Sequence, residues 1–255
     1  MSPPVCRRVS LCLVVANSED CLPRWFAWAL PRFAEIVLVR SPSNDRTDAI
    51  IDKVAAGRPG QVKVLSKPIE DIASQKQFCV DRATRAWRLV VDADEICEDV
   101  FWDGIVDQMD AAGADLLQVP RYNLQRDAAH YLPRAYPDLQ ERLFKRHVRF
   151  SSEPRHRTHH KLVGAKKPLA SRAPHILHWG HIRSVDQLAW KSQMRRGHAD
   201  TDYLEGAQLV RHDNWFHHRN RVLDPEAVPL PAGPAAYIRQ VEAQAHLLVL
   251  DLFDL

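Results

Sequence analysis

The sequence predicts an α/β protein built on a mainly parallel sheet with helices covering both faces. Three observations lead to it. Short apolar runs alternate with segments whose apolar residues recur at helical spacing. The connections are short and rich in turn formers, as consecutive β-α-β units require. A carboxylate-rich tetrapeptide, Asp92-Ala93-Asp94-Glu95, follows directly on one of the apolar runs, and open α/β sheets bind ligands outside the carboxyl ends of their strands.

Taken in order, Ser10 to Val15 reads as the first strand, stopped by the polar turn Asn17-Ser18-Glu19-Asp20. Leu22 to Phe33 carries Leu22, Phe26, Leu30 and Phe33 at helical intervals, and Pro23 is tolerated in a first turn. Glu35 to Val39 is the second strand. It leads into Arg40-Ser41-Pro42-Ser43-Asn44-Asp45, a loop of turn formers and helix N-caps. Thr47 to Val54 reads as a helix closed by Gly57 and Pro59, and Val62 to Leu65 as the third strand. Ile72 to Ala83 is a third helix with Phe78 and Val80 on its apolar side. The fourth strand ends at Asp92, a helix spans Asp99 to Ala112, and a further strand Asp115 to Val119.

At 255 residues and 45% hydrophobic content the chain is large enough for a substantial core. The five cysteines are irregularly spaced, all before residue 98, and no pair has zinc-site spacing. Reduced thiols in a cytosolic protein follow as the expectation. Arg7-Arg8 with the apolar run after them imitate a signal peptide, but the run is too short and Asn17 to Asp20 replace a cleavage site. No stretch has the length of a membrane span. The expected location is the cytoplasm, or the inner face of the membrane as a peripheral protein.

Charge is uneven along the chain. Residues 1–110 hold 14 basic and 17 acidic side chains, whereas residues 142–221 hold 17 basic and 6 acidic ones, a balance of +11. A basic half facing an acidic cluster suits a polyanionic ligand, either a nucleotide diphosphate or nucleic acid. A solvated basic surface is the plainer reading.

Two carboxylates two residues apart at the lip of a buried strand can reach one point outside the sheet. Oxygen ligands there suit a hard divalent cation shared with substrate phosphates. A solvated acidic loop would have the same sequence, so the rest of the first half decides between them.

Four segments, in order, supply that context. They are Leu13 to Glu19, Ile36 to Thr47 with its Ser41-Pro42-Ser43-Asn44-Asp45-Arg46-Thr47 loop, Ser74-Gln75-Lys76-Gln77-Phe78, and Asp92 to Glu95. Together they resemble a family 2 glycosyltransferase of the GT-A fold, of the small bacterial type. The resemblance implies a Rossmann-like, mainly parallel sheet, a nucleotide-diphosphate sugar as donor and Mn²⁺ or Mg²⁺ as cofactor. It implies Asp94 as the metal-binding, catalytic carboxylate and Asp92 as the one that addresses the ribose or the sugar. Asn17, Glu19, Arg40, Asp45 and Gln75 fall where the family lines its nucleotide pocket. Two positions depart from the pattern: Arg40 stands where the family has an acidic residue, and Pro42 where it has glycine. The identity of the base is therefore open.

Seven of the thirteen histidines fall between His147 and His181. Arg142-Leu143-Phe144-Lys145 resembles the strand that follows the metal site in these transferases. Thr158-His159-His160-Lys161 stands where the family often has a His-Glu pair, and His178-Trp179-Gly180-His181 resembles its His-x-Gly segment. His178 is the candidate to complete a metal shell, against the reading of a packed core histidine. For the general base of an inverting transfer, Glu141 and His160 are the candidates, with Asp138 and His159 behind them.

Ser184 to Gly197 reads as a helix, and Pro234 to Phe253 as an amphipathic one, a docking element or a homodimer seam. Tyr203, Trp190, Trp215 and Phe216 among basic residues suit stacking on a sugar or a base, or plain packing. The expected layout is a GT-A domain over residues 1–183 and a helical C-terminal extension over 184–255. The expected function is transfer of a sugar to an acceptor hydroxyl on a glycan or lipid-linked precursor. A nucleic-acid acceptor and a non-catalytic binder of nucleotide sugar or polyanion are the alternatives.

Overall fold

A computed structural model describes residues 4–68, 71–153, 161–180, 182 and 227–253. The first part of the chain runs β1 (Val9–Val15), α1 (Leu22–Ala29), β2 (Ile36–Arg40), α2 (Thr47–Ala56), β3 (Val62–Ser66), α3 (Ile72–Val80) and β4 (Trp87–Val90). Then come β5 (Glu95–Cys97), α4 (Trp102–Ala111), β6 (Leu116–Asn123), β7 (His130–Tyr131) and β8 (Asp138–Lys145). The remaining elements are β9 (Arg149–Phe150), β10 (Leu162–Val163), β11 (Pro168–Ala170), β12 (Ile176–His178), β13 (Val228–Pro229) and α5 (Ala232–Phe253). The expected helix 184–197, its neighbouring aromatics and His160 lie outside the described residues.

The main sheet has nine strands in the order β3-β2-β1-β4-β8-β6-β12-β5, with β11 beside β6. Strands β1 to β4 are parallel, and their registers pair Val15 with Arg40 and Arg40 with Ser66, so their carboxyl ends form one lip. Strand β8 enters antiparallel between β4 and β6, and β5 closes the far edge antiparallel to β12. The sheet is thus mainly parallel, as expected, with its antiparallel pairings confined to the β4–β5 half.

Strand pleat sends alternate side chains to opposite faces, and both faces are covered. Leu11, Leu13 and Val15 pack into a core shared with helices α1, α2, α4 and α5. Cys12, Val37, Val39 and Val90 pack on the other side with Ala73, Cys79 and Val80 of α3. Cover on both faces explains why these strands read as unbroken apolar runs. Helix α1 buries Trp25, Phe26 and Trp28. It stops at Ala29, ahead of Pro31, which has no N–H to continue the ladder. Helix α5 sets Ile238 and Val241 into the same core, and its Glu242 lies 3.5 Å from Arg24 of α1. No helix among the described residues is long and apolar enough to cross a membrane.

Helix α3 departs from the expected pattern. It ends at Val80, and besides Ala73, Cys79 and Val80 its buried side carries Gln75 and Lys76. Phe78 is only half buried, under the Arg82 guanidinium, 3.3 Å from the ring centre. A buried lysine needs a counter-charge, and that partner sits at the lip.

Candidate active site

The first wall of the lip is made by two loops that hold each other's backbone. Asn17 adopts a left-handed φ of 44°, a conformation asparagine tolerates. Its backbone N–H donates to Ser43 Oγ at 3.1 Å, and its side-chain oxygen accepts from the backbone N–H of Asn44 at 2.9 Å. The Asp45 carboxylate accepts from the N–H groups of Glu19 at 3.2 Å and Thr47 at 2.9 Å. Thr47 Oγ1 in turn accepts from Ser18 N at 2.7 Å. Glu19 Oε2 accepts from the backbone N–H and the guanidinium of Arg46, at 2.9 and 3.2 Å. Gln75, almost fully buried, donates to Ser41 Oγ and to the Lys67 carbonyl. Arg40 turns toward α2, where its guanidinium meets Asp52 at 2.6 Å, and its Nε donates to Ser66 Oγ at 3.3 Å.

The second wall is a chain of charges. Asp92 Oδ1 lies 2.6 Å from Lys76 Nζ, and its Oδ2 accepts from Arg142 at 3.2 Å. Arg142 also donates to Glu95 Oε1 at 2.6 Å, and Arg121 reaches the same oxygen at 2.8 Å. Arg121 then grips Asp138 Oδ2 through Nη2 at 2.6 Å and Nε at 2.9 Å. Burial penalises the charge on Arg142, but the Glu95 and Asp92 carboxylates outweigh it and hold its pKa above the usual arginine value. Burial lowers the pKa of Lys76, and the nearby Asp92 opposes that shift. For Asp138, Arg121 and the hydrogen bonds from Asn123 and Gln140 outweigh burial and hold its pKa below the usual carboxylate value.

The antiparallel register of β5 and β12 pairs Glu95 with His178. It carries Trp179 N to within 2.8 Å of the Asp94 carbonyl. The His178 ring is thereby brought to the lip: its Nε2 faces Asp94 Oδ2 at 3.8 Å, and its Nδ1 lies 2.7 Å from Asn123 Oδ1. Asp94 and His178 form a pair; among the described residues no group of three or more His, Cys, Asp or Glu side chains is placed to hold a metal ion. One carboxylate and one imidazole suit a divalent cation that takes its remaining ligands from water and a substrate's phosphates.

The register of β8 slips at Arg142, between Glu141 and Leu143. Asp138 and Arg142 both join the charge chain. Glu141 stands apart from it, its Oε2 accepting from Leu162 N at 3.1 Å. Asp138 already accepts from Arg121, Asn123 and Gln140. His147 pairs instead with Asp115 at 2.9 Å. Sequence reasoning quoted Lys76 and Arg142 inside motifs without assigning them a role, and passed over Arg121 and Asn123. The signal available for Lys76 was a cation on the same helical stripe as Ala73 and Val80. Arg121 and Asn123 alternate along β6 in a way that marks a polar sheet face.

A carboxylate–imidazole pair at the carboxyl lip of a parallel sheet has the layout of an α/β ligand site. Residues 10–169, more than half of the chain, match the sequence pattern of glycosyl transferase family 2, and the protein belongs to that family. It is 29% identical over 219 residues to a TPR repeat-containing protein of Synechococcus elongatus, covering 79% of this chain and 50% of that one. It is 34% identical over 88 residues to the lipopolysaccharide core biosynthesis glycosyltransferase LpsC of Rhizobium meliloti, covering 34% of this chain and 32% of LpsC. The chain therefore matches half the length of the one relative and about a third of the other. Among solved structures it is similar to a mannosyltransferase of Pyrobaculum calidifontis in complex with GDP-Man and Mn²⁺. That similarity is 16% identity with a TM-score of 0.48, over 98% of this chain and 81% of that one. S. aureus TarS is similar at 16% identity and a TM-score of 0.45, over 86% of this chain and 44% of TarS.

Proposed function

We propose that the protein transfers a sugar from a nucleotide-diphosphate donor to an acceptor hydroxyl on a glycan or lipid-linked precursor, with inversion and with Mn²⁺ or Mg²⁺ as cofactor. The observation that carries this reading is the approach of His178 Nε2 to Asp94 at 3.8 Å on the lip of a family 2 sheet. Asp94 and His178 would hold the cation, which when bound neutralises the diphosphate as the glycosidic bond breaks and makes it a good leaving group. Asp92 has a different part. With Lys76 against one oxygen and Arg142 against the other, it is a fixed, charged acceptor suited to a ribose or sugar hydroxyl. Asn17, Glu19, Arg40, Asp45 and Gln75 make or support the wall along which the nucleotide would lie. The candidates to take the acceptor's proton stay Glu141, whose Oε2 accepts from Leu162 N, and His160, which lies outside the described residues. The basic stretch 142–221 lies largely outside the described residues, and nothing in the site favours a nucleic-acid acceptor.

The test is donor turnover in Mn²⁺ across UDP-, GDP-, CDP- and dTDP-linked sugars. Asp94→Ala should lose about a hundredfold or more of the transfer rate, the scale on which one electrostatic partner of a transition state acts, while circular dichroism stays unchanged. Wild-type rates from Asp94→Ala in the presence of a chelator would sink the metal-dependent reading.

A further inference from the structure

His178 is held from two sides. On one side runs a chain of hydrogen bonds. Asp138 Oδ2 accepts from Asn123 Nδ2 at 2.9 Å, and Asn123 Oδ1 lies 2.7 Å from His178 Nδ1. A carboxylate is acceptor-only when ionised, and Arg121 keeps Asp138 ionised by donating to that same oxygen twice. The amide must therefore turn its NH₂ group to Asp138 and its oxygen to the ring. An amide oxygen at 2.7 Å requires a proton on Nδ1. A neutral ring so bound directs the Nε2 lone pair toward Asp94.

On the other side is Gly180. A Cβ at this position would lie 2.1 Å from His178 Nε2 and 2.4 Å from its Cε1, far inside any real contact. Gly180 is not among the glycines with positive φ, which are Gly60, Gly113 and Gly164. Backbone freedom is thus no reason for a glycine here. The reason is room for the ring edge that bears Nε2.

We propose that Asn123 and Gly180 are positioning residues for the cation site: Asn123, oriented by Asp138, fixes the Nδ1–H tautomer of His178, and the missing side chain at 180 clears the space in which Nε2 faces Asp94. This rests on the reading of Asp94 and His178 as the cation ligands. It extends that reading to three groups whose part is to aim the imidazole, as outer hydrogen-bond partners aim histidines in metal sites generally.

Two readouts test it separately. In the metal-free protein, nitrogen-15 NMR of the histidine ring should show His178 as the Nδ1–H tautomer, and Asn123→Leu should convert it to a mixture or to the Nε2–H form. In the metal-loaded protein, Mn²⁺ affinity followed by electron paramagnetic resonance should fall about 10–100-fold in Asn123→Leu and in Gly180→Ala, with near-ultraviolet circular dichroism unchanged. An Nε2–H tautomer in the wild type, or an unchanged tautomer in Asn123→Leu, overturns the role of Asn123. Wild-type Mn²⁺ affinity in a folded Gly180→Ala overturns the role of Gly180. His178→Ala separates this proposal from the reading beneath it. If that variant binds Mn²⁺ as tightly as the wild type, the cation reading fails on its own account, and the tautomer measurement still decides whether Asn123 aims the ring.

Discussion

On the β1–β2 side of the site, Asn17, Ser43, Asp45 and Thr47 bind backbone N–H groups of a neighbouring loop. On the β4–β12 side, Lys76, Asp92, Arg142, Glu95, Arg121 and Asp138 bind one another. The first arrangement closes ordinary turn valences with short polar side chains, each worth about 1 kcal/mol. The second removes several charges from water, so each member depends on its partners, and deleting one exposes the whole cost of burying another. The wall that would carry the nucleotide is therefore built of separable small contacts. The wall that would carry the charge chemistry is built as a unit.

That difference can be broken most directly at Arg142. Glu95 is 1% exposed and has two guanidinium partners, of which Arg142 is one. Arg142→Leu should cost about 3–5 kcal/mol of unfolding free energy, the scale for breaking a buried ion pair. Urea denaturation measures it, and a loss below about 1 kcal/mol would show that the chain of charges is not a unit.

The other wall should give less. Asp45→Ala removes the acceptor of two backbone N–H groups and should cost about 1 kcal/mol, as lost caps do. The same urea series reads it, and a loss as large as that of Arg142→Leu would erase the contrast.

The smallest effect is present at neutral pH and fades in acid. The folded pKa of Asp138 lies below its ordinary value because Arg121 and its hydrogen-bond donors outweigh burial. The unfolded chain therefore binds that proton more tightly. The stabilisation is complete above the unfolded carboxylate pKa, about 3.9, and is lost as pH falls through the folded pKa. The stability gap between wild type and Asp138→Asn should be full at neutral pH and close below about pH 4. A gap that stays constant down to pH 2 would mean that Asp138 contributes by shape and not by charge.

The turn character of the first wall was legible, because it is local: Asn17 to Asp20 and Ser41 to Asp45 are runs of turn and cap residues. That the two loops bind each other's backbone, across 26 to 29 positions, was not. The parallel strands were legible from local pattern too, as apolar runs with turn signals between them. The second wall depends on strands far apart in the chain. Nothing in the local pattern says that β8 inserts between β4 and β6, which is what brings Arg142 to Asp92 and Glu95 across about fifty positions. Short β5, Glu95–Cys97, gave no periodic signal of its own. Yet its pairing with β12 decides where the His178 ring goes. Lys76 escaped because periodicity assigns inward positions to apolar residues, and a lysine there makes sense only once Asp92 is known to face it.

All five cysteines are buried in the fold, spread over layers that the two walls share. Cys12 lies under α3 and Cys79 on the buried side of that helix, Cys21 and Cys6 flank α1 and its approach to the sheet edge, and Cys97 sits two residues from Glu95 on β5. Burial and the Asp103 carboxylate push the Cys6 thiol up to about 12, and burial raises Cys97 as well. All five are shut away from a labelling reagent, so each sulfur stays silent until its own layer opens. The order in which a thiol reagent reaches them is then a clock of local opening. Cys97 times the release of the charged wall, and Cys12 with Cys79 times the far side of the sheet.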